Sequence, residues 1–525
     1  MILITSAAYV DPEFRIEFGL LPPSFLPVGN KRLFEHQINV LSERFLGEQI
    51  YISLPSSYVV SPKDLIYLTL HEIEIIQIDE GLPLSASIAI AIKKMKIKKE
   101  PLRILHGDTL LGDFPRGFDV LAVARTQEDY QWEVEETHAE YESVWCGYFS
   151  VSDCQKLLGL LESSGCSFSE AIKAYDLSTP LERYFASSWS DFGHINTYFL
   201  SRSNMTTERS FNSLIIEDGF VYKTGEIESK ISAEAAWYKN LPKSLRGFSP
   251  QLIDSSLDGP KKPYYILEYL ALPPLNEVYV HGRNPVFYWG KIFRLCANFL
   301  NACEAIKLSP EQVSQINLSS KEMARIKNIS RIETFISEVE GIEWDAPLFI
   351  NSLAVPSLRE MLQNCLDLSK SVPIIPGAFH GDFCLSNILF DSRLDRIKVI
   401  DPRGLDAFGK ESNYGDLTYD LAKLTHSIIG LYDFIIAGAF KLEVKLDGLA
   451  LEFKLDIYID KRISEIQELF LAGQYLGIKP LEVMPSVVLL FLSMLPLHYE
   501  NRERQLALLA NALRLYSTYI MDAKE

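Results

Sequence analysis

One stretch restricts this chain more than any other: Phe379-His380-Gly381-Asp382-Phe383-Cys384-Leu385-Ser386-Asn387-Ile388-Leu389-Phe390. A second apolar run, Ile397-Lys398-Val399-Ile400, follows and ends in Asp401-Pro402-Arg403-Gly404. Two short apolar runs around a polar loop read as buried strands that present the loop. An Asp, an Asn five positions on and an Asp at a strand end form a phosphoryl-transfer set. The first acid can accept a proton from an alcohol, and the other two can hold Mg²⁺ against nucleotide phosphates. A plainer reading is a polar loop between strands, with His380 as a satisfied core histidine. Spacing, flanking runs and the second acid all agree with the chemical reading.

The arrangement resembles the aminoglycoside phosphotransferase and choline kinase family, small-molecule kinases built on the protein-kinase fold. The H-G-D-x-x-x-x-N loop of that family matches His380 to Asn387 at each fixed position. The resemblance implies Asp382 as base, with Asn387 and Asp401 as Mg²⁺ ligands. ATP and Mg²⁺ are the implied cofactors.

Bulk numbers bound the rest. At 525 residues the chain is too long for one core. Its 47% apolar and 23% charged residues are ordinary for a globular protein. A net charge of −18 argues against a broad nucleic-acid footprint, which needs a basic face. Seven cysteines without paired C-x-x-C spacing suggest neither a disulfide framework nor a zinc site, and reduced cytosolic thiols are the simplest account. Cys384 reads as a packing residue. Met1-Ile2-Leu3-Ile4-Thr5 lacks a basic flank and reads as a strand, so a cytoplasmic chain is expected. The apolar run Val487 to Leu495 lies between Pro485 and Pro496. It reads as a buried helix, too short for a membrane span of about 20 residues.

Along the first two hundred residues, strand-like runs at Met1 to Thr5, Gln49 to Leu54, Ile73 to Ile78 and Leu102 to Leu105 alternate with helical patterns. The helices are expected at Leu33 to Phe45 and Ser85 to Met95. This alternation predicts an α/β domain with a mostly parallel sheet, whose ligands gather at the carboxyl ends of strands. Pro27 to Ile38, Leu105-His106-Gly107-Asp108 and Trp189-Ser190-Asp191-Phe192-Gly193 resemble segments of sugar-phosphate and choline-phosphate nucleotidyltransferases. That resemblance implies a GT-A-like fold in which Asp108 and Asp191 hold a metal ion, with CTP or another NTP as a second nucleotide. A plain turn at Gly107-Asp108 and a helix cap at Asp191 are the competing readings. The family's glycine-rich opening loop is replaced by Ser6 to Arg15, without glycine. The position of its loop Arg falls at Glu13, with Arg15 close by, and that of its next Lys falls at Pro23. An acid and a proline cannot stabilise charge on a phosphate. The domain is therefore either a divergent transferase or a binding module. Ser85 fits equally a helix N-cap or the neighbourhood of a nucleotide base.

Ser201 to Ser210 is polar and aperiodic and reads as a linker. Beyond it, Ser213 to Glu217 and Phe220 to Lys223 form a candidate hairpin about Asp218-Gly219, and a helix is expected from Ala233. By the kinase resemblance Lys223 reaches the α/β-phosphates and Glu234 positions that Lys; a surface Lys and a surface Glu are the bland alternative. No G-x-G-x-x-G precedes Lys223, so the turn at Ser210 to Ser213 must cover phosphates differently. Tyr264 to Tyr269 reads as a strand joining two lobes. Helical spacing recurs from Phe287 to Ala305, Ile332 to Val339, Leu421 to Phe440 and Val487 onward, predicting a helical large lobe. Asp416 is expected to anchor the catalytic loop, to cap a helix, or both.

The expected organisation is a nucleotidyltransferase-like domain over residues 1–205 and a bilobal, protein-kinase-like α+β domain over 206–525. Its small lobe spans about 206–272 and its large lobe about 273–525. The expected partner is a small hydroxyl-bearing metabolite, a sugar or an amino alcohol. Phosphorylation followed by nucleotidyl transfer suits capsule or lipopolysaccharide precursor supply.

Overall fold

Ile2, Leu3 and Ile4 are fully buried, so the strand Ile2–Thr5 needs cover on both faces. It occupies the middle of a parallel set, paired with Ile50–Pro55 on one side and Leu102–His106 on the other. Glu74–Ile78 extends the set beyond Ile50–Pro55. The helices Leu33–Arg44 and Leu84–Lys94 fall between these strands in sequence. Across the other half the sheet is mixed. Glu142–Val151 runs antiparallel to Leu102–His106, Val120–Thr126 and Val134–Thr137, and Glu182–Phe185 closes the row parallel to Val120–Thr126. The connection agrees with this: among the described residues no helix lies between Val120–Thr126 and Glu142–Val151, and strands joined without a helical crossover usually pair antiparallel.

The computed structural model describes the whole chain except residues 97–99, 131, 164, 206–211, 257–261, 340, 449 and 522–525. It divides into two compact units, Met1–Met205 with His281–Asn284, and Thr206–Val280 with Pro285–Glu525.

In the first unit three local expectations change. The helix Leu84–Lys94 is capped at Pro83, and Ser85 is a buried residue inside its first turn, so the N-cap reading of Ser85 fails. Proline's fixed φ pre-sets the extended entry that Ser85 was expected to provide. The opening stretch is not all loop, because Pro12 starts the helix Pro12–Phe18. Of the linker, Ser201 to Asn204 belong to the helix Ile195–Asn204, which buries Ser201 and Ser203; residues 206–210 lie outside the described residues.

The second unit begins with an antiparallel sheet in the order Asn212–Glu217, Phe220–Gly225, Tyr264–Glu268, Leu252–Ser255. Ser210 and Phe211 of the proposed phosphate-covering turn lie outside the described residues, and Asn212 already opens the first strand. The following helix is Glu228–Lys239, one turn longer at its start than expected, which puts Glu234 at its middle.

The larger part of this unit is mainly helical. Between Leu421 and Phe440 the helix breaks into Leu417–Ile428 and Tyr432–Ile436, because a side chain on Gly430 would meet the His426 carbonyl and Leu431 is left-handed at φ 54°. Phe440 instead opens a hairpin, Phe440–Asp447 with Ala450–Ile457, within a four-stranded sheet. Its alternating apolar and polar residues around Asp447-Gly448 carry the ordinary hairpin signal. Pro480–His498 forms 19 continuous helical residues, long and apolar enough by length and composition to cross a membrane. The expectation that this stretch is too short is therefore wrong. Pro485 sits in the first turn of Met484–Met494 and Pro496 in that of Leu495–His498, where proline is tolerated. The expectation of burial fits: Met484–Met494 packs on Pro310–Glu338, Leu358–Ser369, Leu417–Ile428 and Arg502–Tyr516.

Candidate active sites

In the second unit Lys223 stands on the strand Phe220–Gly225 and is 3% exposed. Its Nζ lies 2.9 Å from Glu234 Oε2 and 2.8 Å from Asp401 Oδ1. Burial works against the ammonium, but Asp401 and Glu234 together outweigh it and lift its pKa above the ordinary lysine value. Tyr265 donates its hydroxyl to Glu234 Oε2 at 2.7 Å, so the glutamate is fixed from two sides. The structure thus brings Lys223, Glu234 and Asp401 together.

Asp401 follows the strand Arg396–Val399 and adopts φ 54°, an uncommon conformation for a non-glycine residue. Its N–H donates to the Tyr238 hydroxyl at 3.2 Å, which anchors that conformation. Next to it, the Ile400 N–H donates to the Asn387 carbonyl at 3.0 Å, and this holds the two metal-ligand candidates on adjacent backbone.

The loop His380–Asn387 is held from beneath. His380 Nδ1 accepts the Asp382 N–H at 3.2 Å, so Nε2 carries the proton and donates to the Ile400 carbonyl at 3.0 Å. Burial pushes its pKa down to about 4 and keeps the ring neutral. Here the plain reading of a satisfied core histidine is correct. Asp382 is 40% exposed; Lys423 Nζ sits 2.9 Å from its Oδ1 and Asn387 Nδ2 lies 3.0 Å from its Oδ2. Burial would raise the Asp382 carboxyl, yet Lys423 and the hydrogen bond from Asn387 hold it below the usual range.

Of the two roles expected of Asp416, the helix cap holds and the loop anchor does not. Asp416 accepts from Thr418 N–H and Ile375 N–H, so it caps Leu417–Ile428 and leaves the loop alone. Asp420, one turn further, accepts the His380 N–H at 2.9 Å and the Gly381 N–H at 2.7 Å. The buried N–H groups of the loop need an acceptor inside the core, and the buried Asp420 on the helix supplies it. In sequence Asp420 lies in the same G-D-x-x-x-D stretch as Asp416, the expected anchor; Lys423 escaped sequence reasoning.

In the first unit, Asp108 lies in the turn after Leu102–His106 and Asp191 ends the strand Trp189–Asp191. Asp191 pairs across with Thr109, and the Phe192 N–H donates to the Asp108 carbonyl at 2.8 Å. A Cβ on Gly193 would come within 2.9 Å of Asp108 Oδ2 and 3.3 Å of Asp191 Oδ1, so both carboxylates close on that glycine. Burial, then the Asp191 charge, pushes Asp108 up to about 6. Asp191 is better served: it accepts from the Gly193 N–H, His194 Nδ1 at 2.9 Å and the Thr197 hydroxyl. It braces the start of Ile195–Asn204 without capping it, since His194 occupies the N-cap.

Tyr130 stacks on His194 at 4.2 Å, and Trp132 meets His194 and Trp189 edge-on, each at 5.3 Å. Among the described residues no lysine or arginine pairs with Asp108 or Asp191. Glu13 and Arg15 are both exposed on Pro12–Phe18, and Pro23 begins a short turn whose Ser24 N–H donates to Ser6 Oγ at 3.0 Å. Among the described residues no cluster of three or more His, Cys, Asp or Glu side chains converges as a ready metal cage.

No protein-family model matches the chain, and no curated protein matches it. Solved structures do. Similar to the amino-terminal part is a nucleoside-diphosphate-sugar pyrophosphorylase from Vibrio cholerae RC9, at 13% identity and a TM-score of 0.32, covering 38% of this chain and 99% of that one. An inositol-1-phosphate CTP transferase from T. maritima is similar at 14% identity and 0.28, covering 37% and 90%. A choline/ethanolamine kinase family protein from Mesorhizobium loti, similar to a later portion, has 12% identity and a TM-score of 0.35, covering 59% and 87%. These likenesses are slight, and the reading of both sites rests on the side chains themselves.

Proposed function

We propose that the chain is an ATP-dependent kinase of a small hydroxyl-bearing metabolite, a sugar or an amino alcohol. The observation that carries this reading is the buried Lys223 held between Glu234 and Asp401, in the same unit as a carboxylate, Asp382, kept charged by Lys423. Lys223 meets the α/β-phosphates and Glu234 fixes its direction. Asp382 takes the proton of the acceptor hydroxyl as that oxygen bonds to the γ-phosphorus. The bond from this phosphorus to the β,γ-bridging oxygen breaks, and ADP leaves with the electron pair. Asp401 and Asn387 offer a carboxylate and an amide oxygen, hard donors that suit Mg²⁺, whose remaining ligands are ordinarily phosphates and water. When bound, Mg²⁺ neutralises phosphate charge.

The test is phosphorus NMR of the full chain with ATP, Mg²⁺ and a panel of sugars and amino alcohols. A new phosphomonoester resonance is expected with at least one acceptor; its absence with all of them counts against the reading.

For the first unit the reading is a nucleotide- or sugar-binding module or a transferase much slower than the kinase. The like-charged Asp108–Asp191 pair favours it, because among the described residues no lysine or arginine pairs with either acid to balance a triphosphate there. Two carboxylates suit a divalent ion, so NTP binding with Mg²⁺ is compatible with either form. Pyrophosphate release by the full chain, with each NTP and the kinase product, separates them; fast release lost in Asp108→Ala would restore a bifunctional enzyme. Supply of activated precursors for a capsule or lipopolysaccharide, in the cytoplasm, is the role that this pairing of chemistries suits.

A further inference from the structure

The helix Leu417–Ile428 presents three polar side chains to the catalytic loop at positions i, i+3 and i+7. Asp420 takes the backbone N–H groups of His380 and Gly381. Lys423 takes the side chain of Asp382. Ser427 Oγ accepts the Leu385 N–H at 3.1 Å. Residues at this spacing share one helix face, so a single rigid element grips the loop at successive points from His380 to Leu385. Two of these contacts hold backbone. The contact from Lys423 alone reaches the group that would do chemistry.

The Asp382 carboxylate is gripped at both oxygens, Lys423 on Oδ1 and Asn387 on Oδ2. Asn387 belongs to the loop itself and moves with it. Lys423 belongs to the helix, and its side chain is 14% exposed, so its ammonium has little solvent to compensate for losing Asp382. Two grips from different elements fix the plane of a carboxylate, where one would leave it free to rotate. Cys384, two residues from the acid, adds only a long contact, its Sγ 3.9 Å from Asp382 Oδ1, and burial pushes its thiol up to about 12, so it brings no charge.

From this geometry we infer that Lys423 is the positioning residue of Asp382, transmitting the rigidity of the helix Leu417–Ile428 to the acceptor-side carboxylate. The inference rests on the kinase reading for its kinetic consequence, and on the resting structure alone for its conformational one. Lys423 contacts neither phosphate nor acceptor in this role. Its removal leaves ATP binding in place and misdirects the base. A displacement of about 1 Å at a reacting group lowers turnover about 100-fold.

The experiment uses the full chain as Lys423→Met and Lys423→Arg. Methionine keeps the length and removes the charge; arginine keeps the charge. Hydrogen–deuterium exchange is followed over the peptide 379–390 in the resting protein, and kinetics with whichever acceptor the NMR panel yields. Lys423→Met is expected to exchange several-fold faster in that peptide, with the rest of the second unit unchanged. Its kcat should fall about 100-fold with KM for ATP within about twofold, and Lys423→Arg should recover most of both. Unaltered exchange in Lys423→Met overturns the inference even if the protein has no kinase activity at all. So does a loss shared equally by Lys423→Arg and accompanied by unfolding, which would assign Lys423 to packing. An inactive wild type with faster exchange in Lys423→Met would instead sink the kinase reading and leave the positioning role standing.

Discussion

The two units treat their acids in opposite ways. In the second, Glu234 and Asp401 share Lys223, and Asp382 has Lys423. In the first, Asp108 faces Asp191 across a glycine, and a basic group nearby is the imidazole of His194, whose pKa the hydrogen bond to Asp191 raises. With Lys230 3.7 Å from Glu234 Oε1 as a third ammonium, the three acids of the second site are matched by the protein before any ligand arrives. The first site leaves a deficit that a proton or a metal ion must fill. A site balanced in advance can spend ligand binding on orientation, while an unbalanced one spends it on neutralisation. The contrast supports chemistry in one unit and weaker, ion-dependent binding in the other.

The sharpest challenge to this contrast is Asp382→Asn. It keeps the shape and loses the proton acceptor, so phosphoryl transfer should fall by about 10²–10⁴ while ATP affinity holds. Turnover near that of wild type would remove the second unit's claim to chemistry.

Next comes Asp108→Asn, where the substitution should help the protein. The Asp108 carboxyl binds its proton more tightly folded, at about 6, than unfolded, at 3.8. Stability therefore falls as pH rises from about 4 to about 6 and levels off above, by about 3 kcal/mol in order of magnitude. In EDTA at pH 7.5 the asparagine variant should melt higher than wild type, and at pH 4 the two should coincide. A lower melting point at pH 7.5 would show that the two acids are already balanced, and the contrast would fail.

The smallest effect concerns the metal. Asp401→Ala and Asn387→Ala should each raise the Mg²⁺ concentration for half-maximal kinase rate by about tenfold. A titration that does not move in either variant would deny both residues their role as ligands.

What could be read from the sequence follows the range of each contact. Asp382 and Asn387 are five residues apart in one loop, so their association needs no fold to be visible. Lys223 and Glu234 are read from the order of hairpin, lysine and helix, all local patterns. Asp420 and Lys423 reach the loop across about forty positions, His380 to Asp420 being 40 and Gly381 to Asp420 being 39. Their spacing D-x-x-K-x-x-x-S acquires meaning only once the buried face of the helix is known. Gly193 is similar: its reason is the space that two distant carboxylates leave. The hairpin Phe440–Ile457 is a different failure, since its period-two alternation was plain, and the surrounding helical pattern drew the reading past it.

Gly404 has a further meaning. A side chain there would stand 2.2 Å from the Ala233 carbonyl oxygen, so the segment after Asp401 rests directly on the backbone of Glu228–Lys239. Trp237 and Tyr238 of that helix bond to Phe379 and Asp401, and Asn413 bonds back to Trp237. These contacts resist a swing of the helix that would carry Glu234 off Lys223. In kinase-like folds that swing is a common means of control. Here that helix is tied to the backbone at Phe379, Asp401 and Gly404, so the position of Glu234 is set by packing as well as by its ion pair with Lys223.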